Sequence, residues 1–201
     1  MAEPRLTFRR LVGLDRSYAP PETRSDQPLR PWTIPNAIGL ARLALIPVFL
    51  VVAFSTPGGR STLAAVLFAV IAGSDYLDGL TARLTGQYSR LGAMLDPLVD
   101  RILVLSGVAV CWYFDFLPRW LLGILAAREL FMLLLSQAAI RRGASVKINW
   151  VGRWAVWPTM FALFLAVLVD TWVATAMLAL GVAMSVAATV LYMRSGLQER
   201  K

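Results

Sequence analysis

The sequence predicts an all-α integral membrane protein with six transmembrane helices. Of its 201 residues, 58% are hydrophobic and only 16% are charged, too little polar surface for a water-soluble domain of this size. Apolar stretches long enough to cross a bilayer recur from residue 34 onward, separated by short segments rich in Gly, Pro or Arg. Lysine and arginine fall almost entirely on one set of alternate connections.

Residues 1–33 form a cytoplasmic tail with six arginines, four acids and the prolines Pro20, Pro21, Pro28 and Pro31. No apolar core follows the early arginines before Ile34, which argues against a cleavable signal peptide. The segment LTFRRLVGL at 6–14 has the pattern of a short amphipathic helix lying on a membrane surface, and a solvated basic tail accounts for it equally well. The domain at 34–193 divides into helices at about 34–54, 62–83, 91–114, 118–139, 154–169 and 172–193, and residues 194–201 form a cytoplasmic C-terminal tail. The fifth span is short and lies close to the sixth across Val169, Asp170 and Thr171. Trp32, Trp112, Trp120, Trp150, Trp154 and Trp172 fall near span ends, where amphipathic rings favour the headgroup zone.

On this division one side carries fifteen Lys and Arg residues and the other only Arg60 and Arg119, with Arg42, Arg101 and Arg128 inside spans. The asymmetry places both termini in the cytoplasm. The formal net charge of +8 then reads as a topology signal and an attraction to anionic membrane lipids, not as a nucleic-acid footprint.

The chain has no histidine, which excludes every mechanism that needs an imidazole. The single Cys111 excludes a disulfide framework or a cysteine-cluster metal site. Chemistry must come from carboxylates, arginine, lysine and hydroxyls. Four of the eight acids after residue 34 cluster in 26 residues: Asp75, Asp78, Asp96 and Asp100. At a helix centre four such groups would cost about 10–14 kcal/mol in total, so something must neutralise them. Asp75 and Asp78 are three apart on one helix and Asp96 and Asp100 four apart on the next, so each pair shares a face. The turn LTGQYSR makes these two helices antiparallel neighbours, bringing the pairs to one cleft near the cytoplasmic side. An all-oxygen set suits Mg2+, Mn2+ or Ca2+, and two divalent cations would cancel the charge. Gly79, Ala82 and Gly92 extend the same seam, and Pro97 removes one helical hydrogen bond beside Asp96. The bland alternative is that the acids form buried ion pairs with Arg83, Arg90, Arg101 or Arg128.

The stretch from Asp75 to Asp100, DYLDGLTARLTGQYSRLGAMLDPLVD, resembles the signature of the CDP-alcohol phosphatidyltransferase family: DGxxAR, eight residues, then GxxxDxxxD, with an Asp three before the DG. TIPNAIGLARL at 33–43 is similar to the first-helix entry of many members. The resemblance spans most of residues 31–195 and implies a multi-pass enzyme of a bacterial-type plasma membrane. Such an enzyme transfers a phosphatidyl group from CDP-diacylglycerol to an alcohol or phospho-alcohol acceptor in phospholipid biosynthesis and releases CMP. Carried over by position, Asp75, Asp78, Asp96 and Asp100 would hold two divalent cations, Mg2+ first and Mn2+ second. Asp100 would also be the catalytic base, and Asp75, Gly79, Ala82, Arg83, Ser89 and Gly92 would line the CDP-lipid pocket. Family members are often homodimers.

For the acceptor, Arg128, Lys147 and Arg153 are the candidates, with Glu129 a natural partner for Arg128. Asn36, Arg42 and Ser89 are candidates for helix capping or donor contacts. The TIPN opening and the DPLVDR ending resemble the phosphatidylglycerophosphate and cardiolipin synthase branches. Glycerol 3-phosphate is the expected acceptor, with phosphatidylglycerol as the alternative because Arg101 stands where many glycerophosphate synthases have Lys. A small cation or proton transporter is the rival from another class. It calls for carboxylates spread through the membrane depth and an internal repeat, and neither is present.

Overall fold

A computed structural model describes residues 32–141 and 150–198, apart from the side chains of Asp78, Arg83, Arg90, Ala93 and residues 135–141, 150–153 and 191–198. Among the described residues there are six helices and no strand: α1 (Ile34–Ser55), α2 (Thr62–Thr85), α3 (Arg90–Tyr113), α4 (Arg119–Arg141), α5 (Trp150–Leu168) and α6 (Trp172–Gln198). The segment at 6–14 and Lys147 lie outside the described residues.

Local chemistry sets the helix starts. Thr33, Ser61 and Ser89 are extended N-caps whose hydroxyls accept the amides of Asn36, Ala64 and Gly92. Pro35 in the first turn of α1 loses nothing, because that turn's amides have no helical acceptor. α2 stops at Gly86, which adopts the left-handed conformation (φ 65°) that glycine enters without steric cost.

Two boundaries differ from expectation. α5 begins at Trp150 rather than 154, and α6 runs to Gln198 rather than 193. Hydropathy marks where an apolar run begins, whereas a helix continues through Gly152, Arg153 and Arg194 because a single glycine or a long polar side chain does not break it.

One hydrophobic core draws on every helix, from Phe49, Phe68 and Leu103 to Leu122, Leu163 and Leu178. The rings of Phe49 and Phe68 meet at 5.4 Å. Large apolar side chains also cover the outside, including Val51, Leu63, Leu134 and Trp157, as suits a protein whose solvent is lipid. Among the described residues three helical stretches are long and apolar enough to cross a membrane: α1, Thr62–Ala82 of α2 and Trp172–Val190 of α6. In α3 and α4 the charged residues Asp96, Asp100, Arg101, Arg128 and Glu129 interrupt the apolar character, and the apolar run Trp154–Leu168 of α5 is shorter.

α5 and α6 form the most extensive helix pair. A Cβ at Gly181 would come within 2.3 Å of Thr159 Oγ1 and 2.9 Å of its backbone nitrogen, so only glycine allows this approach. Gly181→Val is expected to cost about 3 kcal/mol, near the top of the usual overpacking range because backbone must move. Thermal melting in detergent checks this, and an unchanged midpoint would contradict the packing described.

α1 packs against α2 and α3 more extensively than those two pack against each other. At one end, Ile34 N donates to Gln87 Oε1 at 3.0 Å, which ties the start of α1 to the turn between α2 and α3. At the opposite end, Ser61 N donates to Val167 O at 3.1 Å, joining α2 to the end of α5. This placement of α1 along both acid-bearing helices determines the surroundings of the carboxylates.

Candidate active site

Asp75 on α2 and Asp100 on α3 meet at a single guanidinium supplied by α1. Arg42 Nη1 donates to Asp75 Oδ1 at 3.1 Å and Nη2 to Asp100 Oδ1 at 2.6 Å, while Nε donates to the carbonyl of Ile71 at 3.1 Å. The arginine is among the most buried large side chains at 1% exposure, yet the two carboxylate side chains are 45% and 38% exposed. The guanidinium is therefore buried while the two acids it holds stay partly exposed. Asp96 lies one turn before Asp100 on α3, with its Oδ1 4.0 Å from where a Cβ on Gly39 would stand. Gly39 of α1 thus stands beside the Asp96 carboxylate.

Asn36 and Ser89 fasten the seam nearby. Ser89 Oγ donates to Asn36 Oδ1 at 2.8 Å and accepts from Gly92 N at 2.9 Å, and a Cβ on Gly92 would come within 2.7 Å of Asn36 Oδ1. Ser89 and Gly92 therefore take part in joining α1 to α3. Gly79 and Ala82 follow Asp75 and Asp78 along α2, and Arg83 lies one position further on.

A second charged group sits on α3 and α4. Glu129, with its side chain 8% exposed, receives Arg101 Nη1 on Oε2 at 2.5 Å and is also paired through Oε1 with Arg128 Nη1. Two cations share one carboxylate, and Arg128 Nε is buried with no hydrogen-bond partner among the described residues. Among the described side chains Arg101 and Arg128 are therefore paired with Glu129 rather than with Asp75 or Asp100. They hold Glu129, and Arg42 serves Asp75 and Asp100. Arg153 lies on α5 within the segment whose side chains are not described.

Among the described residues no three acidic or thiol side chains form a ready-made cation cage. The donor chemistry nonetheless suits a hard divalent ion: Asp75 and Asp100 offer carboxylate oxygens from two helices, and both side chains are partly exposed.

The sequence pattern of the CDP-alcohol phosphatidyltransferase family matches residues 32–187, which takes in α1 to α5 and most of α6. The chain belongs to this family. It is an enzyme, a CDP-alcohol phosphatidyltransferase of phospholipid biosynthesis, which sets aside the cation-path reading. Enzymes of this family use divalent cations. A cardiolipin synthase (CMP-forming) from Streptomyces coelicolor is 37% identical over 170 residues, covering 82% of this chain and 79% of its own. A CDP-diacylglycerol–glycerol-3-phosphate 3-phosphatidyltransferase from Bacillus subtilis is 29% identical over 143 residues, covering 65% and 74%. One of the same name from Pectobacterium atrosepticum is 35% identical over 140 residues, covering 66% and 75%.

Proposed function

We propose that this phosphatidyltransferase moves the phosphatidyl group of CDP-diacylglycerol onto a glycerol hydroxyl. The observation that carries the proposal is the meeting of Asp75 and Asp100, from two helices, at one accessible place. Asp75, Asp78, Asp96 and Asp100 would hold two divalent cations, Mg2+ first and Mn2+ second, which when bound neutralise the donor's diphosphate. Asp100 takes the proton of the acceptor hydroxyl as its oxygen bonds to the phosphatidyl phosphorus, and the bond from that phosphorus to the CMP oxygen breaks. As a base Asp100 depends on position, which Arg42 supplies by hydrogen bond. Arg83 is suited to fork onto a donor phosphate, and Gly79, Ala82, Ser89 and Gly92 border the nucleotide.

The acceptor proposed is phosphatidylglycerol, giving cardiolipin. The match to the Streptomyces cardiolipin synthase extends over more of both chains than the two glycerol-3-phosphate matches. Arg101, in place of the lysine common in glycerophosphate synthases, agrees with it. Arg101 and Arg128 together exceed Glu129 by one positive charge, which suits a phosphodiester carrying one negative charge. Lys147 and Arg153 remain proposed contributors to the acceptor side. Glycerol 3-phosphate is the second reading, favoured by the Bacillus and Pectobacterium relatives.

Six membrane crossings with both termini in the cytoplasm are part of the proposal. α3 and α4, at 24 and 23 residues, have the length to span, and their charges face partners on neighbouring helices. The fifteen-to-two distribution of Lys and Arg supports the orientation. A homodimer in the membrane is proposed on family resemblance.

The test is to incubate detergent-purified protein with CDP-diacylglycerol, Mg2+ and either phosphatidylglycerol or glycerol 3-phosphate, and to identify lipid products by mass spectrometry. Cardiolipin is the expected product. Phosphatidylglycerophosphate alone would move the assignment to the second reading, and no product with either acceptor would defeat both.

A further inference from the structure

Resting on the metal-dependent reading above, we propose that Arg42 is a built-in counter-cation for the active-site carboxylates. It holds Asp75 and Asp100 in register when no divalent ion is bound and yields part of their charge when one binds. Three observations converge on it. The side chain comes from α1, outside the acid-bearing pair of helices, and is 1% exposed. Its three nitrogens are each given a separate acceptor: Asp75, Asp100 and the Ile71 carbonyl. The carboxylates it holds are themselves 45% and 38% exposed, so they remain within reach of a cation.

A charged group this deep is retained only where it is paired, and here one guanidinium serves two helices at once. Removing the guanidinium withdraws one positive charge from Asp75 and Asp100, which the packing of α1, α2 and α3 holds close together. The more negative pair then gains more from a divalent ion than the native pair does. Arg42 is thus a positioning residue. It keeps the metal-free protein assembled, and it moderates metal affinity so that ions can bind and leave. An arginine that merely anchored α1 through the Ile71 carbonyl would have the same worth with or without metal.

The experiment compares the melting temperature of the detergent-purified full-length protein with R42Q and R42K, each in EDTA and in saturating Mg2+. The expected result is that Mg2+ raises the melting temperature of R42Q by several degrees more than that of the unsubstituted protein. R42K keeps the charge but cannot fork onto both carboxylates, so its rise should fall between the two. Mn2+ titration followed by electron paramagnetic resonance should show tighter binding in R42Q. Equal Mg2+ increments in all three proteins overturn the inference. If R42Q cannot be purified, an R42K increment equal to that of the unsubstituted protein overturns it as well. Equal increments together with normal lipid product defeat this inference alone, whereas no Mg2+ response in any protein defeats it together with the metal-dependent reading.

Discussion

Asp100→Asn is expected to slow CMP release by about 10³-fold or more while leaving the protein folded. The amide keeps the shape of the carboxylate, and its oxygen can still accept from Arg42 Nη2, which the native Oδ1 meets at 2.6 Å. The contact joining α1 to α3 therefore persists in weakened form. The substitution removes the negative charge that attracts a cation and the basic oxygen that takes the acceptor's proton, and both losses fall on the reaction. Release of labelled CMP from CDP-diacylglycerol, measured beside the melting temperature, separates chemistry from folding. A variant that turns over at the native rate removes Asp100 from the base role, and one that fails to fold shows that its worth is structural.

Glu129→Ala should cause a large loss of stability, about 3–5 kcal/mol. Arg101 and Arg128, whose side chains are 20% and 13% exposed, both rely on this carboxylate. Removing it leaves two neighbouring cations in a poorly solvated place, with Arg128 Nε already lacking an acceptor among the described residues. Glu129→Gln retains hydrogen-bonding oxygen but no charge, so its loss should be smaller. Thermal or denaturant melting in detergent orders the three proteins. If Glu129→Ala melts with the native protein, the cluster contributes nothing to the fold.

Much of the helical order was legible along the chain. The starts at 34, 62 and 172 follow from the apolar runs that begin there. The start of α5 was not legible, because Gly152 and Arg153 resemble a loop on hydropathy alone while the backbone already turns helically. The facing of Asp75 and Asp100 was also readable, since helical periodicity and a short connection bring α2 and α3 side by side. Their counter-ion was not. Arg42 was visible as a charged residue inside an apolar span and hence as a group that needs a partner, but its partners are 33 and 58 residues away. Arg101 and Arg128, nearer to the acids in sequence, look like better candidates and turn out to hold Glu129.

The sequence by itself determined which segments are helical, which faces carry acid and, through the DGxxAR and GxxxDxxxD spacing, the family to which the enzyme belongs. These properties are local: caps, periodicity and fixed intervals act within a turn or two of helix. Only the tertiary structure decided that α1 lies along both acidic helices and delivers Arg42 to them, and that α3 and α4 share Glu129. Which helix borders which depends on how six apolar surfaces divide their neighbours, and side-chain packing across distant segments settles that division.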